Sequence, residues 1–439
     1  MPYMASNVRR DRETGAKDRT PGRPTTAHPC QQLSCHWIRG TIAREVLMMT
    51  TPPEGAFTTT EPNSDASRLH VSVITDLGEL TELAPQWTRL VAISPHMTAY
   101  NTPVAALTWF HWFSAATDGV YAILVWRGNE LVGLAPFSVT RMPLPWKGLQ
   151  LLCTPGAEHG YYGEPLLGSE PKAVAKAIAE HIAGLVQRGT TMVHFRRIAS
   201  DGFLTRAICE RSDMSCHRTQ RHTRGVVRFD LVEDGDAYVA RLGHKHKIPR
   251  LMRRLAGDFA HVEYLPHDPH PDAALNDMRD MVVRRFGHGE GPEIFSSPVY
   301  EAFMRRLTSE LIDTGHARVS SLTADDRRIF VSLDFYVNDH AHFYTTAYEP
   351  GLAKYSLGKI LMFEALRYAR ESGANHADMG SATFAYKQEW GNATADYDSF
   401  YLGAQGVRGD VAKLFNRATL SYRARRIYNT RHDPARLGM

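Results

Sequence analysis

The chain has 439 residues, 43% of them apolar and 22% charged, with a formal net charge of +4. That length exceeds one compact core and suits two or three domains. The composition excludes a collagen-like or low-complexity chain, and the near balance of charge neither demands nor excludes a nucleic-acid partner. Five cysteines, at 30, 35, 153, 209 and 216, make no disulfide framework in a chain of this size, which fits a reducing, cytoplasmic setting. No apolar run approaches the ~18 residues of a membrane span, so no integral membrane association is expected, and no secretory-signal pattern opens the chain.

Residues 1–68 are rich in Arg, Thr, Pro, Ser and Gly without sustained periodicity, and read as a disordered extension. His28, Cys30, Cys35 and His36 are metal-ligand types, but their spacing fits no common zinc site. Met48 and Met49 mark a candidate natural start. A first domain is predicted over residues 69–232. It opens with a strand from Leu69, helices around Leu80–Ile93 and Pro103–Ala116, and strands Val120–Trp126 and Glu130–Val139. A short strand Leu149–Cys153, a helix Ala173–Gln187 and a strand Thr191–Phe195 follow. The loop Thr154–Pro165 sets Glu158, His159, Tyr161 and Tyr162 among three glycines, where backbone can approach a ligand closely. It reads as a substrate-binding loop or, more plainly, as a polar surface loop.

Residues 233–256 form a basic connecting helix carrying His244, Lys245, His246, Lys247, Arg250, Arg253 and Arg254, which Pro249 is expected to kink. Its readings are a solvated basic face or an arm that contacts coenzyme phosphates or tRNA. The second domain, residues 257–405, begins with strand Phe259–Leu265 and helices Ala273–Phe286 and Pro298–Thr314. Three strands follow, the last two being Arg328–Val337 and Ala341–Ala347. The stretch Tyr355–Asn392 then holds a whole supersecondary unit. Ser356 is a candidate helix cap, and Leu357, Ile360, Leu361, Ala365 and Tyr368 recur at helical spacing up to the Gly373 stop. A strand Ala377–Met379, a short helix carrying Tyr386 to Trp390 and a strand Asp398–Leu402 complete it. Ser356 and Gly358, flanked by Lys354 and Lys359 at a helix start, suit an anion, although a plain capped helix with solvated lysines has the same pattern. Residues 406–439 read as a basic amphipathic helix and tail.

No Ser-His-Asp order, metal-ligand cluster or Walker motif appears. The element order of the second domain is that of the GNAT acyltransferase core. YSLGK…EALRYA…ADMG…YKQEWGN closely resembles the pattern of the bacterial CelD-like acetyltransferases, a family named for cellulose biosynthesis and related to the Fem peptidyltransferases. Trp87, Leu90, Trp109 and the GNELVGLAPF run from Gly128 resemble that family's amino-terminal half. Leu357 stands where the family usually has proline, and Ser381-Ala382-Thr383 replaces its usual Arg-Gly-acidic run.

The resemblance implies an α/β (α+β) fold of two tandem GNAT-like units, with mixed sheets flanked by helices. It implies acetyl-CoA or another acyl-CoA as donor, an amine of a small molecule, sugar or cell-envelope precursor as acceptor, and no metal or DNA. Lys354, Tyr355, Ser356, Leu357, Gly358 and Lys359 would hold the coenzyme. Lys387 would support the acyl oxygen as charge develops on it, and Tyr386 would protonate the leaving thiolate, although adjacent helix positions point about 100° apart. Asp334 is the candidate general base. Asp378 would orient Lys387 or cap a turn, and together with Trp390, Glu158, His159 and Tyr161 would meet the substrate. The rival readings are a Fem-like transferase using aminoacyl-tRNA and a non-catalytic GNAT-like scaffold in polysaccharide or envelope assembly.

Overall fold

The structure, a computed structural model, describes residues 68–95, 97–142, 148–156, 162–287, 292–295, 297–381 and 385–406. The amino-terminal extension, the residues at its His/Cys cluster, Met48, Met49 and the basic tail from Gly409 lie outside the described residues.

Seven strands precede the connecting helices: β1 Leu69–Ile74, β2 Gly119–Arg127, β3 Glu130–Arg141, β4 Gln150–Cys153, β5 Leu166–Leu167, β6 Thr191–Ala199 and β7 Met214–Arg228. Six follow them: β8 Val262–Leu265, β9 Ala317–Ala324, β10 Arg327–Val337, β11 His340–Tyr348, β12 His376–Ser381 and β13 Ala393–Ala404. All thirteen join one sheet in the order β1-β2-β3-β4-β6-β13-β7-β12-β11-β10-β9-β8, with β5 beside β3.

Either end of this sheet shows the same pattern. An antiparallel meander leads to one parallel step, β4 to β6 in the first half and β11 to β12 in the second. The closing antiparallel strand then comes from the opposite half: β13 pairs with β6, and β7 pairs with β12. The two exchanged strands pair with each other at the centre. The predicted boundary at residue 232 falls just after β7, in the connection, yet hydrogen bonding crosses it twice.

The helices are α1 Leu77–Glu82, α2 Ala84–Ile93, α3 Pro103–Trp112, α4 Pro171–Gln187, α5 Phe203–Cys209, α6 Gly235–Lys245, α7 Ile248–Asp258, α8 Pro271–Phe286, α9 Pro298–Asp313, α10 Leu357–Glu371 and α11 Ala385–Gln388. Their starts follow local chemistry. Asp76, Thr102, Asp234 and Ser297 accept hydrogen bonds from the first turns of α1, α3, α6 and α9, and proline opens α3 and α9. Helices α1–α3 and α8–α9 share one core on one face of the sheet, built around Trp87, Trp109, Phe303 and Phe335. Separate cores pack α4–α5 and α6 with α10. Asn338 Nδ2 donates to the Val91 carbonyl at 2.9 Å and His340 Nδ1 lies 3.0 Å from that of Met97, so the halves are also tied by polar contacts.

Two local expectations are corrected. The basic segment is two helices, broken at Lys247 with φ 59°, and Pro249 sits in the first turn of α7. There its missing N–H is not needed, so it starts a helix instead of kinking one. Ser356 is left-handed at φ 54° and ψ 45°, and its hydroxyl makes no capping bond. A side-chain cap goes with extended backbone at that position, which Ser356 does not have.

Candidate functional site

Strands β11 and β12 are paired over only three positions, His340↔His376, Ala341↔Ala377 and His342↔Asp378. Beyond His342, β11 runs on to Tyr348 while β12 turns at Gly380, so the parallel neighbours part. A polar cluster sits where they separate. Asp378 is fully buried; its Oδ1 accepts from Arg224 Nε at 2.7 Å and from the Gly380 N–H at 2.7 Å, and its Oδ2 accepts from the Tyr162 hydroxyl at 3.0 Å. Burial opposes its charge, but Arg224 and the neighbouring histidines hold the carboxyl well below the usual range.

Arg224 belongs to the exchanged strand β7. Its Nη2 lies 3.0 Å from His342 Nε2. Arginine only donates, so Nε2 is the acceptor and the ring proton sits on Nδ1, which is buried with no hydrogen-bond partner. Burial, with Arg224 next in weight, pushes His342 down to about 3, so it is neutral at physiological pH. Tyr162 packs edge-on against Tyr397 at 4.7 Å and against His342 at 5.7 Å. The cluster thus draws on the loop after β4 and on β7, β11, β12 and β13.

Lys387, on α11, reaches this cluster. Its Nζ donates to the Met379 carbonyl, and its side chain is partly buried. Desolvation, helped by Arg224 and opposed by Asp378, pushes its ammonium down to about 8. Gly380 leaves it room: φ is +87°, and a Cβ there would lie 2.8 Å from Lys387 Nζ.

The residues after Lys387 explain the Trp-Gly-Asn run. Trp390 is 1% exposed, stacks on His246 at 3.9 Å, and gives its carbonyl to the Tyr238 hydroxyl at 3.0 Å. A Cβ on Gly391 would lie 2.9 Å from the Val226 carbonyl, so only hydrogen fits. Asn392 accepts from the Arg228 N–H at 2.8 Å and donates to the Arg228 carbonyl at 2.9 Å, acting as a strand neighbour. Together they clamp the turn that carries Lys387 onto β7.

The coenzyme-type loop stands on the other side of α10. Gly358 and Lys359 are exposed, and nothing lies within 4 Å of a Cβ built on Gly358. Lys359 is close enough to His246 to depress its charge. Lys354 pairs with Asp258 at 3.1 Å, and Arg254 Nη1 donates to the Lys354 carbonyl at 3.1 Å, so α7 lines the loop with cations.

Four predicted contacts are corrected. Asp334 is fully buried, paired with Arg318 at 2.7 Å and accepting from Ser332 at 2.8 Å. Arg318 in turn lies 3.8 Å over the Tyr368 ring of α10, so Asp334 is a structural partner away from the cluster. Tyr355 and Leu357 are each 1% exposed, and with Trp390 their side chains belong to cores, where they shape the loops without reaching a ligand. The predicted residues Glu158, His159 and Tyr161, like the Tyr386 side chain and Ala382-Thr383, lie outside the described residues. Arg224, His342 and Tyr397 went unpredicted, as did Glu164. That last carboxyl lines a small cavity with Trp87, Tyr100 and Tyr162, accepts from the Ala199 N–H at 2.6 Å, and is pushed up to about 7 by burial.

Among the described residues no helix is long and apolar enough to cross a membrane, and no three His, Cys, Asp or Glu are grouped as metal ligands.

No curated protein matches the chain. Among solved structures, one titled as FemX superposes with a TM-score of 0.51 at 10% identity, covering 72% of this chain and 95% of its own. The carboxyl-terminal domain of a putative lysylphosphatidylglycerol synthetase from Agrobacterium fabrum gives 0.46 at 14% identity, covering 79% and 97%. A tandem GNAT protein from the clavulanic acid pathway gives 0.40 at 12% identity, covering 77% and 100%. Residues 243–388, from the end of α6 to the end of α11, match the family described as Acetyltransferase (GNAT) domain, and this part of the chain is therefore a GNAT-type acyltransferase domain.

Proposed function

We propose that the chain is a CelD-like N-acyltransferase that moves an acyl group from an acyl-CoA, acetyl-CoA first among them, to an amine on a small molecule, sugar or cell-envelope precursor. The observation that carries this reading is the parting of β11 and β12 beside Lys387. A gap between parallel strands offers main-chain groups freed from the ladder, and these suit an extended amide-bearing chain such as a pantetheine arm. The exposed start of α10 at Gly358–Lys359, with Lys354 and Arg254 near it, suits the phosphates at the far end of such a donor.

Attack of a neutral amine on a thioester places negative charge on the carbonyl oxygen, then releases a thiolate. A half-buried ammonium is suited to the first of these, and Lys387 is the group available for it. Arg224, Asp378 and His342 form a fixed frame around Lys387; the frame sets its field and does not itself take part. Lys354, Ser356, Gly358 and Lys359 remain the proposed coenzyme contacts, the Tyr355 and Leu357 side chains being inward.

A second reading is favoured by one observation. Lys247, Arg250 and Arg253 are exposed along α6–α7 beside the donor loop, a cationic surface that suits the polyanion of an aminoacyl-tRNA.

The test is thermal stability of the full chain with free CoA, acetyl-CoA, longer acyl-CoAs and aminoacyl-tRNA. At one hundred times its dissociation constant a true ligand stabilises by about 2.7 kcal/mol. Stabilisation by CoA species, followed by thiol release with an amine panel, supports the proposal. Stabilisation by aminoacyl-tRNA alone moves the protein to the second reading. No shift with any donor, and no thiol release, sinks both and leaves a scaffold.

A further inference from the structure

Two thiols meet well outside this site. Cys209 is the last residue of α5, and Cys216 is the third residue of β7. Both are free, Cys209 exposed and Cys216 partly so, and their side chains are hydrogen-bonding neighbours. The connection between them is short and braced. Arg211 Nε donates to Asp213 Oδ1 at 2.9 Å, and Gln187 Nε2, from the end of α4, donates to Asp213 Oδ2 at 3.0 Å. The Glu210 N–H closes back onto the Arg206 carbonyl at 3.0 Å, which continues the helix to the turn. The brace fixes the end of α5 against the start of β7, so the two sulfurs are held together and do not depend on a chance encounter.

We propose that Cys209 and Cys216 form a redox pair, in which a hydroperoxide oxidises Cys209 and Cys216 resolves it as an intrachain disulfide. In the first step the Cys209 thiolate sulfur attacks an oxygen of hydrogen peroxide. An S–O bond forms, the O–O bond breaks, and the departing hydroxide takes a proton as water. In the second step the Cys216 sulfur displaces the hydroxyl of the Cys209 sulfenic acid. The S–S bond forms, the S–O bond breaks, and the Cys216 proton leaves with the hydroxyl as a second water. Two thiols lose two electrons in all, and one peroxide becomes two waters.

The two cysteines differ in the way this order of events needs. The exposed sulfur meets the oxidant. Burial first, and Cys209 beside it, push the Cys216 thiol up to about 12, so it stays protonated and unreactive toward peroxide in bulk. Its role is then confined to the sulfenic acid already in contact with it. A dithiol reductant reverses the bond by exchange through the exposed Cys209 sulfur. The closed ring would pin the start of the strand that carries Arg224.

The experiment treats the full chain with hydrogen peroxide, alkylates it and digests it with trypsin. Cleavage after Arg206, Arg211 and Arg218 separates Ala207–Arg211 from Ser212–Arg218, each with a single cysteine. The expected result is a disulfide-linked pair of these two peptides that appears with peroxide and disappears with dithiothreitol. In Cys216→Ser, Cys209 should instead be trapped by dimedone as sulfenic acid, several-fold above the wild-type yield. Wild-type protein in which both cysteines still alkylate, or in which Cys209 passes to sulfinic acid with no linked pair, overturns the proposal.

Discussion

Arg224 and Asp378 are joined by a 2.7 Å hydrogen bond although their strands belong to opposite halves of the chain, and their side chains are 13% and 0% exposed. Arg224 reaches Asp378 only because β7 crosses to lie beside β12. The pair is therefore a product of the strand exchange, and it is what positions charge next to Lys387. Breaking one partner of a buried pair leaves the other charge uncompensated, which typically costs about 3–5 kcal/mol, whereas an apolar pair of similar volume is often tolerated. Asp378→Asn should lower the urea midpoint accordingly, and Arg224→Met with Asp378→Leu should recover most of the loss. A single variant as stable as wild type would show that the pair is not coupled to folding. Because the folded carboxyl titrates below its unfolded value, its stabilisation is full at neutral pH and declines as pH falls below about 4.

Lys387→Met should reduce single-turnover transfer by about 10²–10³-fold, the range for losing one oxyanion donor, with the thermal midpoint little changed. Since the charged form does the work and the ammonium is pushed down to about 8, activity should fall as pH rises through that value. A rate that climbs across the same interval would make Lys387 a base. Parallel loss of stability and rate would make it structural.

Gly380→Ala tests the same geometry from the neighbouring strand. The new methyl meets Lys387 Nζ at 2.8 Å and must adopt φ +87°. Strain of this kind costs about 1–3 kcal/mol, and the displaced ammonium should take most of the activity with it. Full activity in this variant would place the reacting centre elsewhere.

Much of this was legible in the sequence, and the exceptions share a cause. Helices such as Pro298–Asp313 announce themselves through Pro after Ser297 and a regular apolar stripe. The Trp390-Gly391-Asn392 run was visible as a motif, though not as a clamp, because its partner Arg228 lies far away in sequence. Strand β7 was not legible at all. His217, Arg218, Arg221, His222, Arg224 and Arg228 leave no alternation of apolar and polar residues, and they are tolerated because β13 opposes them with Asp396 and Asp398 and β12 with Asp378. A central strand satisfied by charge pairing carries no hydrophobic period to find. Asp334 misled for the opposite reason: an acid on an apolar strand looks like a catalyst until Arg318 is seen beside it.

Glu164 supplies a prediction with the reverse sign. Its folded value, about 7, lies above the unfolded carboxylate range. The group therefore favours folding below its unfolded value, and that contribution is lost as pH rises through about 7. Wild-type stability should fall between about pH 4.5 and 7 relative to Glu164→Gln, read from paired urea titrations. Parallel curves across that interval would mean the carboxyl finds a cation or water that holds it charged.

Lys359→Glu should weaken CoA binding by about tenfold, roughly 1.4 kcal/mol, while leaving the unliganded midpoint unchanged, because the side chain is exposed at the open start of α10. The wild-type affinity should also fall with added salt. An unaffected affinity would remove this loop from the donor site.

The order of synthesis gives the exchanged strands a further meaning. When β6 leaves the ribosome its free edge has no partner, since β13 ends at Ala404, some two hundred residues later. β7 waits likewise for β12. The nascent first half must therefore keep two open edges from pairing with other chains, and β7 is dense in arginine and histidine, which hinders such pairing. Completion of the sheet coincides with completion of the site, so a truncated or stalled chain would hold neither.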